Sequence, residues 1–456
     1  MKLKTRLHGQ TYEFKSFNEV MAKANEHKSG DELAGLAATS KEERAAARVV
    51  LADTLLSDIY NNPAVPYEVD DVTRVIIDQV NMTIYNEIKG WTVGELRDFV
   101  LSYEATGPVI QRIAKGLTSE MVAAITKLMT NLDLVYGAKK IHNITTCVNT
   151  LGRPGITSCR ILPNHPTDNI DGVFAEIYEG LAYGIGDAMI GFNPVQDTVE
   201  STSYMLNKLY EFRMKWEIPT QNCVLSHITT QVAACRKGAP VDMFFQSLAG
   251  TQKANESFGI TTEILDDAYD LGKHMCVSGG KNIMYFETGQ GSELSANAHH
   301  GVDMLTLEAR KHGYARRYDP FTTMSVVGFI GPEYIYDSVQ MIRGGLEEHF
   351  MGKMHLIPMG VDTCYTNHMP ASQNDSETLA MLLAHGEMPY FVTCTHGDDV
   401  MLNYQLLANH DMQAILEISG LRRVPEFEKW LQKMEILDEN GLFTEKAGDA
   451  SIFLRR

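Results

Sequence analysis

The sequence predicts an α/β fold, a (β/α)8 TIM barrel with a helical N-terminal domain and a short helical C-terminal extension. Three observations carry this expectation. Eight short apolar runs of strand length recur between residues 156 and 394. Each is followed by a polar residue, a turn and an amphipathic helical stretch, and buried parallel strands read as near-continuous apolar runs joined by helical crossovers. Eight such units suit a closed barrel, which typically takes about 250 residues, better than an open doubly wound sheet.

In chain order, residues 1–115 read as polar and helical. The stretch 41–59 carries Ala, Val and Leu at helical spacing, and 93–101 does the same after a Gly-Trp-Thr break. One helix is expected over 118–134. The barrel is assigned to 116–410, with strands expected at 156–161, 188–192, 223–226, 241–245, 283–286, 324–329, 355–361 and 388–394. Asp168 is expected to cap a helix in which Val173, Ile177 and Leu181 share a face, and Ser295 to open another bearing Val302, Leu305 and Ala309. Residues 411–456 form the helical extension.

Composition narrows the function. With 44% hydrophobic and 21% charged residues the chain is globular rather than disordered. A formal charge of -18 repels phosphate backbones and anionic lipid, so neither nucleic acid nor a membrane surface is expected as a partner. The seven cysteines are scattered without a CxxC pair and read as reduced, mostly buried thiols. No apolar stretch follows the charged N-terminus and no run approaches membrane-span length, so a cytoplasmic protein is expected.

The residues ending the runs carry the functional reading: Arg160, Asn193, His227, Gln246, Glu287, Asp362 and His396. In a barrel these ends converge on one face. Polar groups meeting there cost desolvation unless they or a ligand satisfy one another, which points to a small polar substrate. His227 and His396 read as helix caps or turn closers. No HExxH, GxSxG or phosphate-loop motif is present. Gly289-Gln290-Gly291 lacks a third dinucleotide-loop glycine, since Leu294 stands there, and reads as a flexible strand-to-helix loop that a ligand approaches.

No metal is assigned. Adjacent helical residues such as His299 and His300 point about 100° apart, and Asp362, Cys364 and His368 lack a second ligand pair. One arginine, two carboxylates and an asparagine suit a molecule bearing both an ammonium and a hydroxyl. Glu287 and Asp362 would take the cation, and Arg160 and Asn193 the oxygen. None of these side chains breaks an unactivated C–H bond, so that chemistry would need a cofactor.

Ile177-Tyr-Glu-Gly180, Gly191-Phe-Asn-Pro194, Tyr285-Phe-Glu-Thr-Gly-Gln-Gly-Ser292, Arg317-Tyr-Asp-Pro-Phe321, Val326-Val-Gly-Phe-Ile-Gly-Pro-Glu-Tyr334, His349-Phe-Met-Gly-Lys353 and Cys364-Tyr-Thr-Asn-His368 are long and specific stretches. With them, almost the whole chain resembles the large, catalytic subunit family of ethanolamine ammonia-lyase. The resemblance implies an adenosylcobalamin-dependent lyase that converts ethanolamine to acetaldehyde and ammonia: a radical takes hydrogen from the hydroxyl-bearing carbon, the amino group migrates and ammonia leaves. It further implies a corrin lying across the strand ends, a small partner subunit over it, and self-association into dimers and higher oligomers. Substrate contacts fall on Arg160, Asn193, Glu287 and Asp362, and cofactor contacts on Pro194, Gln246, Ser295 and Met401. The sequence has no Asp-x-His-x-x-Gly, which fits a base-on cofactor that keeps its own dimethylbenzimidazole.

The resemblance breaks at one site position. The family pattern Ser-x-Arg-x-Gln reads Ser158-Cys-Arg160-Ile-Leu162 here, and leucine cannot accept a hydrogen bond from an ammonium. The expectation is a bulkier or N-alkylated amino alcohol beside Leu162. Two other readings stay open: a cobalamin-free lyase with Glu287 as general base and Arg160 as oxyanion partner, and an altered member that binds an amine or cobalamin without turnover. The expected location is the cytoplasm, with residence in a bacterial microcompartment as the alternative.

Overall fold

The computed structural model describes residues 1–454. Its centre is eight parallel strands: β1 (Ser158–Ile161), β2 (Met189–Phe192), β3 (Asn222–Val224), β4 (Phe244–Ser247), β5 (Met284–Gly289), β6 (Thr322–Gly328), β7 (Met359–Thr366) and β8 (Tyr390–Cys394). They form two curled parallel-rich sheets, ordered β8-β1-β2-β3 and β4-β5-β6-β7. β1 pairs with β8 through Arg160 opposite Val392, and β5 pairs with β6 through Glu287 opposite Met324. Helices follow the strands: Ile170–Ala182, Val199–Trp216, Ile228–Arg236, Thr262–Met275, Met304–Ala315, Ser338–Met354 and Gln373–His385. Burial on both faces explains why the strands read as apolar runs.

Several element boundaries differ from expectation, each for a local reason. Asp168 does not cap the helix after β1. It sits at φ +50°, Asn169 accepts from Gly172 N instead, and Asp168 reaches across to Val195 N and Gln196 N. Ser295 ends the single turn Ser292–Ser295 rather than opening a helix. Left-handed backbone at Asn297, His300 and Gly301 separates that turn from the long helix, which begins at Met304 under the cap of Asp303. The expected helix over 118–134 is two, Ser119–Lys127 and Asn131–Lys139, because Thr130 and Asp133 form a capping box. The 41–59 stretch likewise splits, into Lys41–Ala52 and Leu56–Tyr60, where Leu55 bridges to Thr92. The seventh strand starts at Met359 rather than at His355, which ends the preceding helix.

The N-terminal stretch also holds a hairpin, Lys4–Leu7 with Gln10–Glu13. Its two turn residues, His8 and Gly9, both have positive φ, the geometry that matches strand twist in a two-residue turn. One buried apolar cluster runs from Phe14 to Phe453. Buried ion pairs also join the early helices to the helices behind the site: Lys127 to Asp303 at 2.7 Å, Lys28 to Glu347 at 2.6 Å, and Arg310 to both Asp70 at 2.7 Å and Glu120 at 2.5 Å.

Candidate active site

Arg160 points from β1 across to β5. Its Nη1 donates to the Tyr285 hydroxyl at 2.7 Å and to Glu287 Oε1, and its Nη2 donates to the Gly191 carbonyl at 3.2 Å. The side chain is fully buried, and its Nε has no partner among the described residues. Burial alone would lower the guanidinium pKa, but Tyr285 and Glu287 outweigh it and hold it above its ordinary value. Gly191 makes room for this group, since a β-carbon there would lie 2.5 Å from Arg160 Nε. Gly360 on β7 does the same for the Tyr390 ring, 2.3 Å from an added β-carbon.

Asp362 on β7 is wholly buried, and neither carboxylate oxygen has a hydrogen-bond partner among the described residues. Burial is the largest influence on it and pushes its pKa well above 3.8. Glu287 and Asp399 add to the rise, while Arg160 opposes it. The Tyr404 hydroxyl also lowers it, without closing a hydrogen bond. Asp399 resembles Asp362: burial raises its pKa, one oxygen accepts from Met401 N and Leu402 N, and the other is unpartnered.

A cavity of about 250 Å3 opens beside Arg160 and is lined by Leu162, Asn193, Pro194, Glu287, Met401 and Tyr404, among others. A second, of about 330 Å3, adjoins it and shares Ser247, Glu287, Val326 and Phe329; Ser295 lines this one. Arg160, Leu162, Asn193, Glu287, Pro194 and Met401 thus meet at one cavity. Asp362 lies behind the lining, and Gln246 lines neither cavity: its Oε1 accepts from Ile228 N at 2.9 Å. His227 is the N-cap of Ile228–Arg236, with its ring accepting from Thr229 N. His396 sits at φ +59° in the turn after β8.

Sequence reasoning missed three groups. Tyr285 bridges Arg160 and Glu287, and strand alternation was available to find it, because residues two apart share a face. Asp399 and Tyr404 had no such signal. They reach the site because the segment after β8 folds back, pairing Tyr404 with Thr366 of β7 and with Asp399.

A buried guanidinium, an engaged carboxylate and two carboxylates with unpartnered oxygens can hold a small molecule with a positive end and a hydroxyl end. This arrangement at the ends of parallel strands defines an α/β protein with a charged small-molecule cavity. A family model described as ethanolamine ammonia lyase large subunit matches residues 12–446. The ethanolamine ammonia-lyase large subunits of Escherichia coli (strain K12) and Salmonella typhimurium (strain LT2) are each 51% identical to the chain over 453 residues, covering 99% of it and 100% of the relative. The chain belongs to the ethanolamine ammonia-lyase large subunit family and is a carbon–nitrogen lyase.

Proposed function

We propose that this chain converts ethanolamine, or a closely related amino alcohol, to an aldehyde plus ammonia or amine, together with a small subunit and adenosylcobalamin. The observation that carries the reading is the Arg160–Glu287 pair lining the cavity, with the unpartnered Asp362 carboxylate buried on β7 within their electrostatic influence. A buried carboxylate without a partner is costly, and an incoming ammonium would satisfy it. In this reading Glu287 and Asp362 hold the amine, and Arg160 and Asn193 hold the hydroxyl oxygen.

The surroundings fit the cofactor. Val195, Phe329, Val400 and Leu402 are exposed apolar residues, and they flank or form the cavity wall along with Pro194 and Met401. A broad, partly apolar rim suits a large ring, which we propose keeps its own base, and it offers the small subunit an apolar surface. Adenosylcobalamin, when bound, supplies the hydrogen abstraction that no side chain here can perform. We also infer that the two sheets close into one (β/α)8 barrel over 116–410, flanked by the helices of 1–115 and of 411–456. Side chains crossing between the sheets support closure: Arg160 meets Tyr285, and the Tyr390 hydroxyl donates to the Thr323 carbonyl at 3.3 Å.

Leu162 supports a substrate with more apolar surface near its amine. It is buried and lines the cavity with Arg160 and Glu287, yet offers no acceptor. One missing charge-assisted hydrogen bond costs about 1.5–3 kcal/mol, roughly one to two decades in rate or affinity. The test is turnover of ethanolamine, N-methylethanolamine and 2-aminopropanol with small subunit and cofactor, for the wild type and Leu162→Gln. The reading expects the substituted substrates to lead in the wild type and ethanolamine to gain in the variant. Clear wild-type preference for ethanolamine removes the substituted substrate, and tight binding without product removes the lyase reading.

A further inference from the structure

Tyr285 is buried on β5, two residues before Glu287 and on the same face. Its hydroxyl accepts from Arg160 Nη1 at 2.7 Å and donates to Glu287 Oε1. The direction is forced, because a guanidinium N–H only donates and an ionised carboxylate only accepts. The ring is clamped as well: it lies 5.6 Å from the Arg160 guanidinium carbon and 5.6 Å from the Phe245 ring, and the hydroxyl lies 3.7 Å from Met324 Sδ. Tyr285 lines neither cavity, whereas Glu287 lines both.

This closed triangle has a directional effect. Glu287 Oε1 receives two donors, from Arg160 and Tyr285, while no hydrogen bond among the described residues engages Oε2. The carboxylate cannot rotate without breaking a charge-assisted contact to Oε1, and Arg160 cannot slide along β5 without losing Tyr285.

We propose that Tyr285 is a positioning residue that fixes Glu287 with one oxygen turned to the cavity and holds Arg160 beside it, so that amine and hydroxyl of the substrate are oriented together. The inference rests on the amino-alcohol reading given above. Orientation of this kind matters most in the reacting complex, where displacement by about 1 Å costs about a hundredfold.

The test uses the complete enzyme with small subunit and adenosylcobalamin. Tyr285→Phe removes only the hydroxyl. The expected result is a loss of about 10- to 100-fold in kcat/KM for the preferred amino alcohol, with melting temperature and the cobalamin absorbance spectrum unchanged. Because Tyr285 acts through Glu287, the Tyr285→Phe, Glu287→Gln double variant loses less than the product of the single losses. Activity of Tyr285→Phe within twofold of wild type, or losses that multiply, overturns the proposal. Should the phenylalanine variant fail to fold, site-specific fluorotyrosines at 285 keep the shape and grade the acidity of the hydroxyl. Rates that follow fluorine number support the positioning role, and flat rates overturn it. A wild type without turnover strikes the functional reading instead. Binding of ethylammonium then decides on Tyr285, with equal affinity of wild type and Tyr285→Phe overturning its role.

Discussion

Gly191→Ala adds one methyl group to β2 at the place where the backbone passes Arg160. The new β-carbon would stand 2.5 Å from Arg160 Nε and 3.2 Å from both Cδ and Cζ. Non-bonded heavy atoms settle at about 3.5–4.0 Å, so the guanidinium must retreat by about 1 Å. Its Nε is unpartnered and offers no resistance, but Nη1 and Nη2 are tied to Tyr285, Glu287 and the Gly191 carbonyl. A shift of that size disturbs the 2.7 Å contact to Tyr285 and the Glu287 carboxylate tied to the same guanidinium nitrogen. The backbone itself is no obstacle, since Gly191 is not among the positive-φ glycines. We expect overpacking to cost about 1–3 kcal/mol of stability and misplacement to lower kcat/KM by about a hundredfold. Steady-state kinetics of the complete enzyme, beside a thermal melt, checks both. Activity within threefold of wild type would refute the claim that Gly191 exists to admit Arg160.

Asp362→Asn keeps shape and removes the unpartnered charge. Because burial raises the folded-state pKa of Asp362 above 3.8, the native state binds the proton more tightly than the unfolded state, and stability falls as pH rises from about 4 through the raised value. Urea denaturation from pH 5 to 8 should therefore show the asparagine variant gaining on wild type as pH increases, while activity drops by about tenfold or more; parallel pH profiles would contradict this. Arg310→Met strands the buried carboxylates of Asp70 and Glu120 and should destabilise the chain by about 3–5 kcal/mol, read by the urea midpoint; a loss below about 1 kcal/mol would show that these pairs do not join the early helices to the rest.

Much of the site was legible because its residues close recognisable patterns. Arg160, Glu287 and Asp362 interrupt or end apolar runs, where a charged side chain has no packing role; in the structure Arg160 pairs with Tyr285 and Glu287, and Asp362 lies buried on β7 within their electrostatic influence. Helix boundaries were less legible where side-chain caps compete. Asp168 and Asn169 are adjacent cap formers, and only the reach of Asp168 to Val195 N and Gln196 N decides between them. Ser295 was misplaced because three left-handed residues, two of them not glycine, break a stretch whose apolar spacing is helical.

From its sequence alone the chain determined eight buried strands with helices between them, its family, and most residues bearing charge near the cavity, since apolar periodicity and local motifs are short-range properties. Tertiary structure alone decided that Gly191 and Gly360 admit the Arg160 and Tyr390 side chains, that Gln246 spends its amide on a helix end, and that Asp399 and Tyr404 fold back beside Asp362. Those outcomes depend on how far each strand is rotated and how closely two backbones approach, quantities set by the curvature of the whole sheet and written in no single segment.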